Sequence, residues 1–304
     1  MLATAVSLGV RHSERTIRAP DGRSLRTAVT GPEDGLAVLW NGGNPSAYLS
    51  PIDEETAAAE KVRVVTYDRP GYGRSTPMPG RRVVDSPADA EVVLDAWGIE
   101  QVASAGISGG GAHALASAAL LPGRVLRVAV LSGVAPIDAE DLHFTDGLTA
   151  TNVAATTEHG GVERASELQE MEPERQRILA DPRAALQLYA AEMPEADREV
   201  LRTHPQIETH VAEGMREAVM VSGEGWLDDS FAYAEPWGFD PASISVPVSV
   251  WHGRDDTASP IAHGQWLAEN IEAAELRVLD GGHYAPLVAL PEIWGWLRDR
   301  SIGV

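Results

Sequence analysis

Ser108 stands in the run Gly106-Ile107-Ser108-Gly109-Gly110, between an apolar stretch, Val102 to Ala105, and a segment, Gly111 to Leu121, that reads as helix. On a sharp strand-to-helix turn the serine backbone is strained and its hydroxyl projects above the sheet. The residues two before and two after must be small, because strand and helix crowd there, and Gly106 and Gly110 meet that need. The amide of Gly109 opens the helix, where unpaired N–H groups favour an oxyanion. Five such residues taken alone are a glycine-rich turn with an incidental serine; the strand–turn–helix setting is what points to a nucleophile.

An alkoxide is out of reach at neutral pH without a base, so Ser108 calls for a histidine and a carboxylate to orient it. Of nine histidines, His283 closes the loop Leu279-Asp280-Gly281-Gly282-His283 after the last strand-like run. There it would project into the same crevice as Ser108. The acid should lie between them and also follow a strand, and Trp251-His252-Gly253-Arg254-Asp255-Asp256 offers two neighbours, Asp255 and Asp256. His252 reads as filling the end of its strand. His263 opens a helix too close to the acid, and His113 reads as packing beneath the serine turn. His12, His143, His159, His204 and His210 have no recognisable setting. A second oxyanion donor is expected from Trp40-Asn41-Gly42-Gly43-Asn44-Pro45, where glycine lets the backbone approach a ligand: the amide of Gly43 first, with Asn44 close behind.

These residues need a scaffold. Arg15 to Thr30 alternates around Pro20-Asp21-Gly22 as a β-hairpin. Strand-like runs then alternate with helices: strands at 37–40, 62–67, 102–105 and 125–131, helices at 52–60, 86–97 and 111–121. Continuous apolar strands separated by crossover helices imply a parallel sheet covered on both faces. From about Ala135 to Pro236 the pattern is helical only, with breakers at Asp181-Pro182 and Met193-Pro194. Alternation resumes with a strand at 246–251, a helix around Trp266, a strand at 276–279 and a closing helix to Arg300. The reading is an α/β core, 1–134 and 237–304, interrupted by a helical cap, 135–236. Trp226, Phe231, Tyr233 and Trp237 are candidate pocket walls, although aromatic residues at that spacing equally suit the core of the cap.

Bulk composition removes several classes. With 45 acidic against 24 basic residues and a net charge of −21, the chain would repel nucleic acid and anionic lipid, so neither partner is expected. Zero cysteines exclude thiolate chemistry and Cys-ligated metals. No apolar run reaches membrane-spanning length and no signal pattern opens the chain, so a cytoplasmic protein is the default expectation. Residues 136–235 hold 22 acids and 7 arginines; a solvated helical surface is the plain account, a cap that favours cationic substrates the sharper one. Oligomeric state is left open.

Four separated motifs in this order resemble the α/β-hydrolase family over essentially the whole chain: Tyr67-Asp68-Arg69-Pro70-Gly71-Tyr72-Gly73-Arg74-Ser75, the Ser108 turn, His252 to Asp256, and Gly281-Gly282-His283. The resemblance implies an eight-stranded, mostly parallel sheet and a helical cap. It also implies a Ser108–His283–Asp256 triad, Asp256 being preferred because His-Gly-x-x-Asp-x-x-x-Pro matches the family's loop, and a small-molecule substrate attacked without cofactor or metal. Asp68 and Arg69 would shape the loop beside the oxyanion hole. The chain departs from the family twice. Asn41-Gly42 replaces a common His-Gly, so that Asn41, like Asn44, is expected to contact substrate or else to brace the loop. Gly109 stands where many members carry a bulky residue, which should leave space beside the nucleophile. The expected activity is hydrolysis of an ester or lactone, with an iminopeptidase-like aminopeptidase, a cyclase or lyase, and a non-catalytic ligand receptor as alternatives.

Overall fold

A computed structural model of the chain describes residues 12–48, 52, 54–157 and 164–299. Alternation shapes its start. β1 (His12–Arg18) and β2 (Ser24–Thr30) pair antiparallel across a turn where Gly22 takes φ +92°, a value costly for any residue with a Cβ. The later strands are apolar runs: β3 (Leu36–Asn41), β4 (Val62–Tyr67), β5 (Val102–Ile107), β6 (Val125–Leu131), β7 (Val248–Gly253) and β8 (Ala274–Leu279). They lie in the order β1-β2-β4-β3-β5-β6-β7-β8. β2 joins β4 antiparallel, and every pairing from β4 through β8 is parallel. This is the eight-stranded, mostly parallel sheet that the motifs imply.

Side chains of period two feed both faces. Val38 and Trp40 of β3 join one apolar cluster and Leu39 the other. Between the strands run α1 (Glu54–Ala59), α2 (Ser86–Ala96) and α3 (Gly110–Leu120). Among the described residues six α-helices then separate β6 from β7: α4 (Ala150–Thr157), α5 (Arg164–Ala180), α6 (Pro182–Ala190), α7 (Glu195–Thr203), α8 (Pro205–Ala218) and α9 (Glu224–Tyr233). The breakers act as the sequence suggests: Asp181 caps α6 by accepting the Ala184 N–H at 3.0 Å, and Pro194 precedes α7. After β7 comes α10 (Ile261–Asn270). Where the pattern predicts one closing helix there are two, α11 (Ala285–Val288) and α12 (Leu290–Arg298), each with proline in its first turn where no N–H is needed; the expected end at Arg300 lies outside the described residues. Helices α2, α3 and α10 cover one face of the sheet. On the other, α1 and α12 share a cluster with α6, α7 and α8.

Most of the charge on the six inserted helices faces water. Glu172, Glu174, Glu195, Glu199 and Glu213 each pair with an arginine three residues on. Asp197, Asp228 and Asp229 are the exceptions, fully buried. No helix among the described residues is long and apolar enough to cross a membrane.

Candidate active site

β5 runs through Ala103-Ser104-Ala105-Gly106, small enough for α3 to lie close. A Cβ on Gly106 would stand 2.2 Å from the Gly110 carbonyl oxygen, and one on Gly110 would stand 2.2 Å from that of Asn41. Between them Ser108 is forced to φ +55°, a strained value for a residue with a Cβ. Its N–H donates to Leu131 O at 2.8 Å and its carbonyl accepts from Gly111 at 2.9 Å, so the turn is held from both sides. Among the described residues the N–H of Gly109 has no protein acceptor.

The loops after β7 and β8 are zipped together: Arg254 N–H donates to Leu279 O and Asp255 N–H to Gly281 O, both at 2.9 Å. Asp255 is left exposed and Asp256 turns inward. Asp256 Oδ1 accepts the amides of Ala258 (2.8 Å) and Ser259 (2.9 Å), while His283 Nδ1 donates to Oδ2 at 2.9 Å. Burial works against charge on both groups. It is outweighed by their pairing, which keeps the Asp256 carboxyl below the usual carboxylate value and raises His283 above the usual imidazole one. His252 lies 3.5 Å from Asp256 Oδ2, but its Nε2 donates to Ser259 O at 2.6 Å; it holds the loop. His263 accepts the Ala135 amide at 3.2 Å.

Arg69, which follows β4, organises the loop after β3. Its Nη1 donates to Gly42 O at 2.8 Å and its Nη2 to Gly43 O at 3.0 Å. In a trans peptide the N–H points opposite to the carbonyl before it, so this clamp turns the amides of Gly43 and Asn44 away from Arg69. Neither amide has a protein acceptor among the described residues. A Cβ on Gly43 would come 3.3 Å from Ser108 Cβ, which sets the loop directly beside the Ser108 turn. Asp68 secures the far end by accepting the amides of Tyr48 (2.8 Å) and Arg74 (3.1 Å); burial pushes its carboxyl up to about 6.

The space expected beside Gly109 is filled. A Cβ there would sit 2.5 Å from the ring of Tyr233, carried by α9, whose hydroxyl lies 3.2 Å from His113 Nε2 under the turn. The bulk that many α/β hydrolases place in the turn itself comes here from the inserted helices. One helical turn before Tyr233, Asp229 binds Arg69 (2.5 Å), Arg81 and the Tyr72 hydroxyl (2.8 Å), and lies 3.5 Å from His113. Burial alone would raise Asp229; the two guanidinium groups hold it well below the usual carboxylate range. A second buried carboxylate from the insertion, Asp197 of α7, accepts the backbone amides of His283 (3.0 Å) and Tyr284 (2.8 Å).

Ser108 and His283 line one cavity of about 220 Å³, walled by Gly43, Asn44, Ile107, Leu186, Met193, Met215, Trp226, Tyr284 and Leu287 among others. Of the side chains expected to meet substrate, Asn44 and Trp226 line it, Asn44 with its amide between Tyr72 and Ser230. Asn41 and Phe231 do not. Asn41 ends β3 facing inward, where its Nδ2 donates to Ala105 O at 3.2 Å and braces the two strands. Phe231 lies on another side of α9 from Trp226, and Trp237 is buried in the cluster beneath the sheet. Glu192 is the one acid on the cavity lining among the described residues, and both its oxygens are engaged by Thr151; the acidity of the insertion is a solvated surface here. His210 lines the cavity although nothing in its sequence setting marks it. Asp197 and Asp229 also escaped the sequence, and Tyr233, expected as a pocket wall, packs instead against Gly109. Their one signal is an acid or hydroxyl recurring on the buried face of a helix, as Asp229 and Tyr233 do four residues apart.

An arrangement of this kind invites comparison. The chain is 27% identical over 288 residues to the non-heme chloroperoxidase of Streptomyces lividans, which it matches over 91% of this chain and 95% of that one. It is 23% identical to 3-oxoadipate enol-lactonase 1 of Acinetobacter baylyi, over 86% and 87%. Among solved structures, the esterase RhEst1 from a Rhodococcus species superposes with a TM-score of 0.65 over 95% of this chain and 98% of that one, at 17% identity. The family model for the alpha/beta hydrolase fold matches residues 38–290, and with the sheet order and the motif positions above, the chain belongs to the α/β-hydrolase family.

Proposed function

We propose that the protein is a serine hydrolase of carboxylic esters or lactones, with residues 1–134 and 237–304 as its catalytic core and 135–236 as a cap that walls the substrate pocket. The observation that carries this reading is that a strained Ser108, an Asp256-bound His283 and Gly43 border one cavity, and that among the described residues the amides of Gly43 and of Gly109, next to Ser108 in the chain, have no protein acceptor. In the mechanism Ser108 Oγ attacks the carbonyl carbon while His283 takes its proton, and Asp256 stabilises the imidazolium that forms. The oxyanion draws on the Gly43 and Gly109 amides, each lowering the barrier by about 3–4 kcal/mol. His283 returns the proton to the leaving oxygen, then activates the water that releases the acid. An esterase and enol-lactonases among the similar proteins agree with this chemistry.

The aminopeptidase alternative needs a carboxylate free to meet a substrate ammonium, and Glu192, held by Thr151, offers little. Fluorophosphonate should label Ser108, and Ser108→Ala should abolish both labelling and ester hydrolysis without unfolding the protein. Activity confined to proline arylamides, or labelling that persists at another residue, would reverse the assignment.

A further inference from the structure

Most polar side chains of the cavity already have partners. Asn152 Nδ2 donates to Ala258 O at 2.7 Å, the Tyr189 hydroxyl donates to Glu174 at 2.7 Å, and Glu192 is held by Thr151. His210 differs. It reaches the cavity from α8, half-buried, and among the described residues neither ring nitrogen has a hydrogen-bond partner. Burial pulls its pKa down to about 4, so near neutral pH the ring is uncharged and offers one N–H and one bare nitrogen. A partly buried polar group left unpaired is unfavourable until an occupant of the cavity completes it.

Its position is informative. One turn further along α8, Gly214 accepts the Ala47 amide at 3.2 Å and lies against Ser46, so α8 docks on the loop that carries Gly43. Val211 and Met215 flank His210 with apolar surface. No lysine or arginine lines the cavity among the described residues, and its one acid is Glu192. An anionic substrate would leave water without meeting an opposite charge.

We propose that the cavity takes uncharged esters or lactones whose acyl portion carries one further oxygen, and that His210 is the specificity residue that recognises this oxygen by donating a hydrogen bond. This rests on the reading of Ser108 as nucleophile. A lactone formed from a dicarboxylate keeps one ionised carboxylate and falls outside the class.

Three 4-nitrophenyl esters of nearly equal size separate the possibilities: pentanoate, 4-oxopentanoate and hydrogen succinate, in which a carboxylate replaces the methyl ketone. The same set one methylene longer is run in parallel, and spontaneous hydrolysis is subtracted throughout. For the native protein kcat/KM should favour the oxo ester over its plain counterpart by about tenfold in at least one set, the worth of one buried hydrogen bond. The anionic ester should fall roughly 100-fold below the oxo ester. His210→Phe should collapse the oxo-to-plain ratio to near one, and His210→Gln, which keeps a donor, should restore part of it. If Ser108→Ala abolishes turnover yet the anionic ester matches the oxo ester, or the oxo preference is absent or survives His210→Phe, the recognition proposal is overturned and the nucleophile stands. If Ser108→Ala leaves hydrolysis intact, the nucleophile reading falls and takes the proposal with it.

Discussion

Asp197 provides a sharp test of how the site is held. Its carboxylate is buried and spends both oxygens on the backbone amides of His283 and Tyr284, and a Cβ on Gly282 would stand 2.0 Å from its Oδ2, so it is pressed into the loop that carries His283. Asp197→Ala leaves two buried N–H groups without acceptors, at about 1–3 kcal/mol each. Asp197→Asn keeps the shape and one acceptor but turns an NH2 toward the other amide, roughly half that loss. If the loop relaxes by about 1 Å to rehydrate those amides, the imidazole leaves its working position and the rate falls on the order of 100-fold. The assay is kcat and KM for an aryl ester beside the rate of fluorophosphonate labelling and the Tm. The expected pattern is a fall in kcat and in labelling rate with KM nearly unchanged, larger for Ala than for Asn. Because Asp197 also helps to raise His283, its loss should move the acid limb of the pH profile downward. A variant with lowered Tm but kcat within about twofold of native would show Asp197 to be a stabilising contact with no role in positioning the base.

Protonated His283 cannot accept the Ser108 proton, and since its pKa is raised above 6.5, kcat/KM should fall as pH drops through a limb above that value. Asp256→Asn should cost about 10⁴-fold and shift the limb of residual labelling downward, whereas Asp255→Asn should change neither. Arg69→Lys cannot grip two carbonyls and Asp229 together, so kcat and labelling should fall by about 10–100-fold; native rates would show that the Gly43 loop needs no clamp. Gly109→Ala drives a methyl into the Tyr233 ring and should destabilise by about 1–3 kcal/mol. Tyr233→Ala should relieve most of that loss in the double variant, and additive effects in a double-mutant cycle would contradict the contact.

What the sequence made legible was local. The sheet and its order of strands and helices follow from apolar runs and breakers, and the turn around Ser108 from three glycines whose spacing reflects crowding between neighbouring elements. The motif after β7 singles out Asp256 over Asp255 only through a likeness; in the structure the zipped backbone of the two loops turns one inward and the other out. What could not be read depends on chain segments that meet only after folding. Asp197 acts on residue 283 and Asp229 on residue 69, and among the 22 acids of residues 136–235 nothing in one dimension separates those that face water from those that do not. Asn41 shows the converse: a polar residue in a glycine-rich loop suggests a ligand contact, yet its place at the last strand register, opposite Gly106, turns it toward neighbouring backbone.

Two acidic residues of the inserted helices thus grip opposite sides of the Ser108 site, one the loop that carries His283 and the other, through Arg69, the loop that carries Gly43. The insertion cannot be exchanged as an independent cassette. A graft bringing new pocket walls without both anchors would leave the loops beside Ser108 unbraced, so diversification of this scaffold is channelled into the wall residues of α4, α6 and α8, which can change while both anchors stay in place.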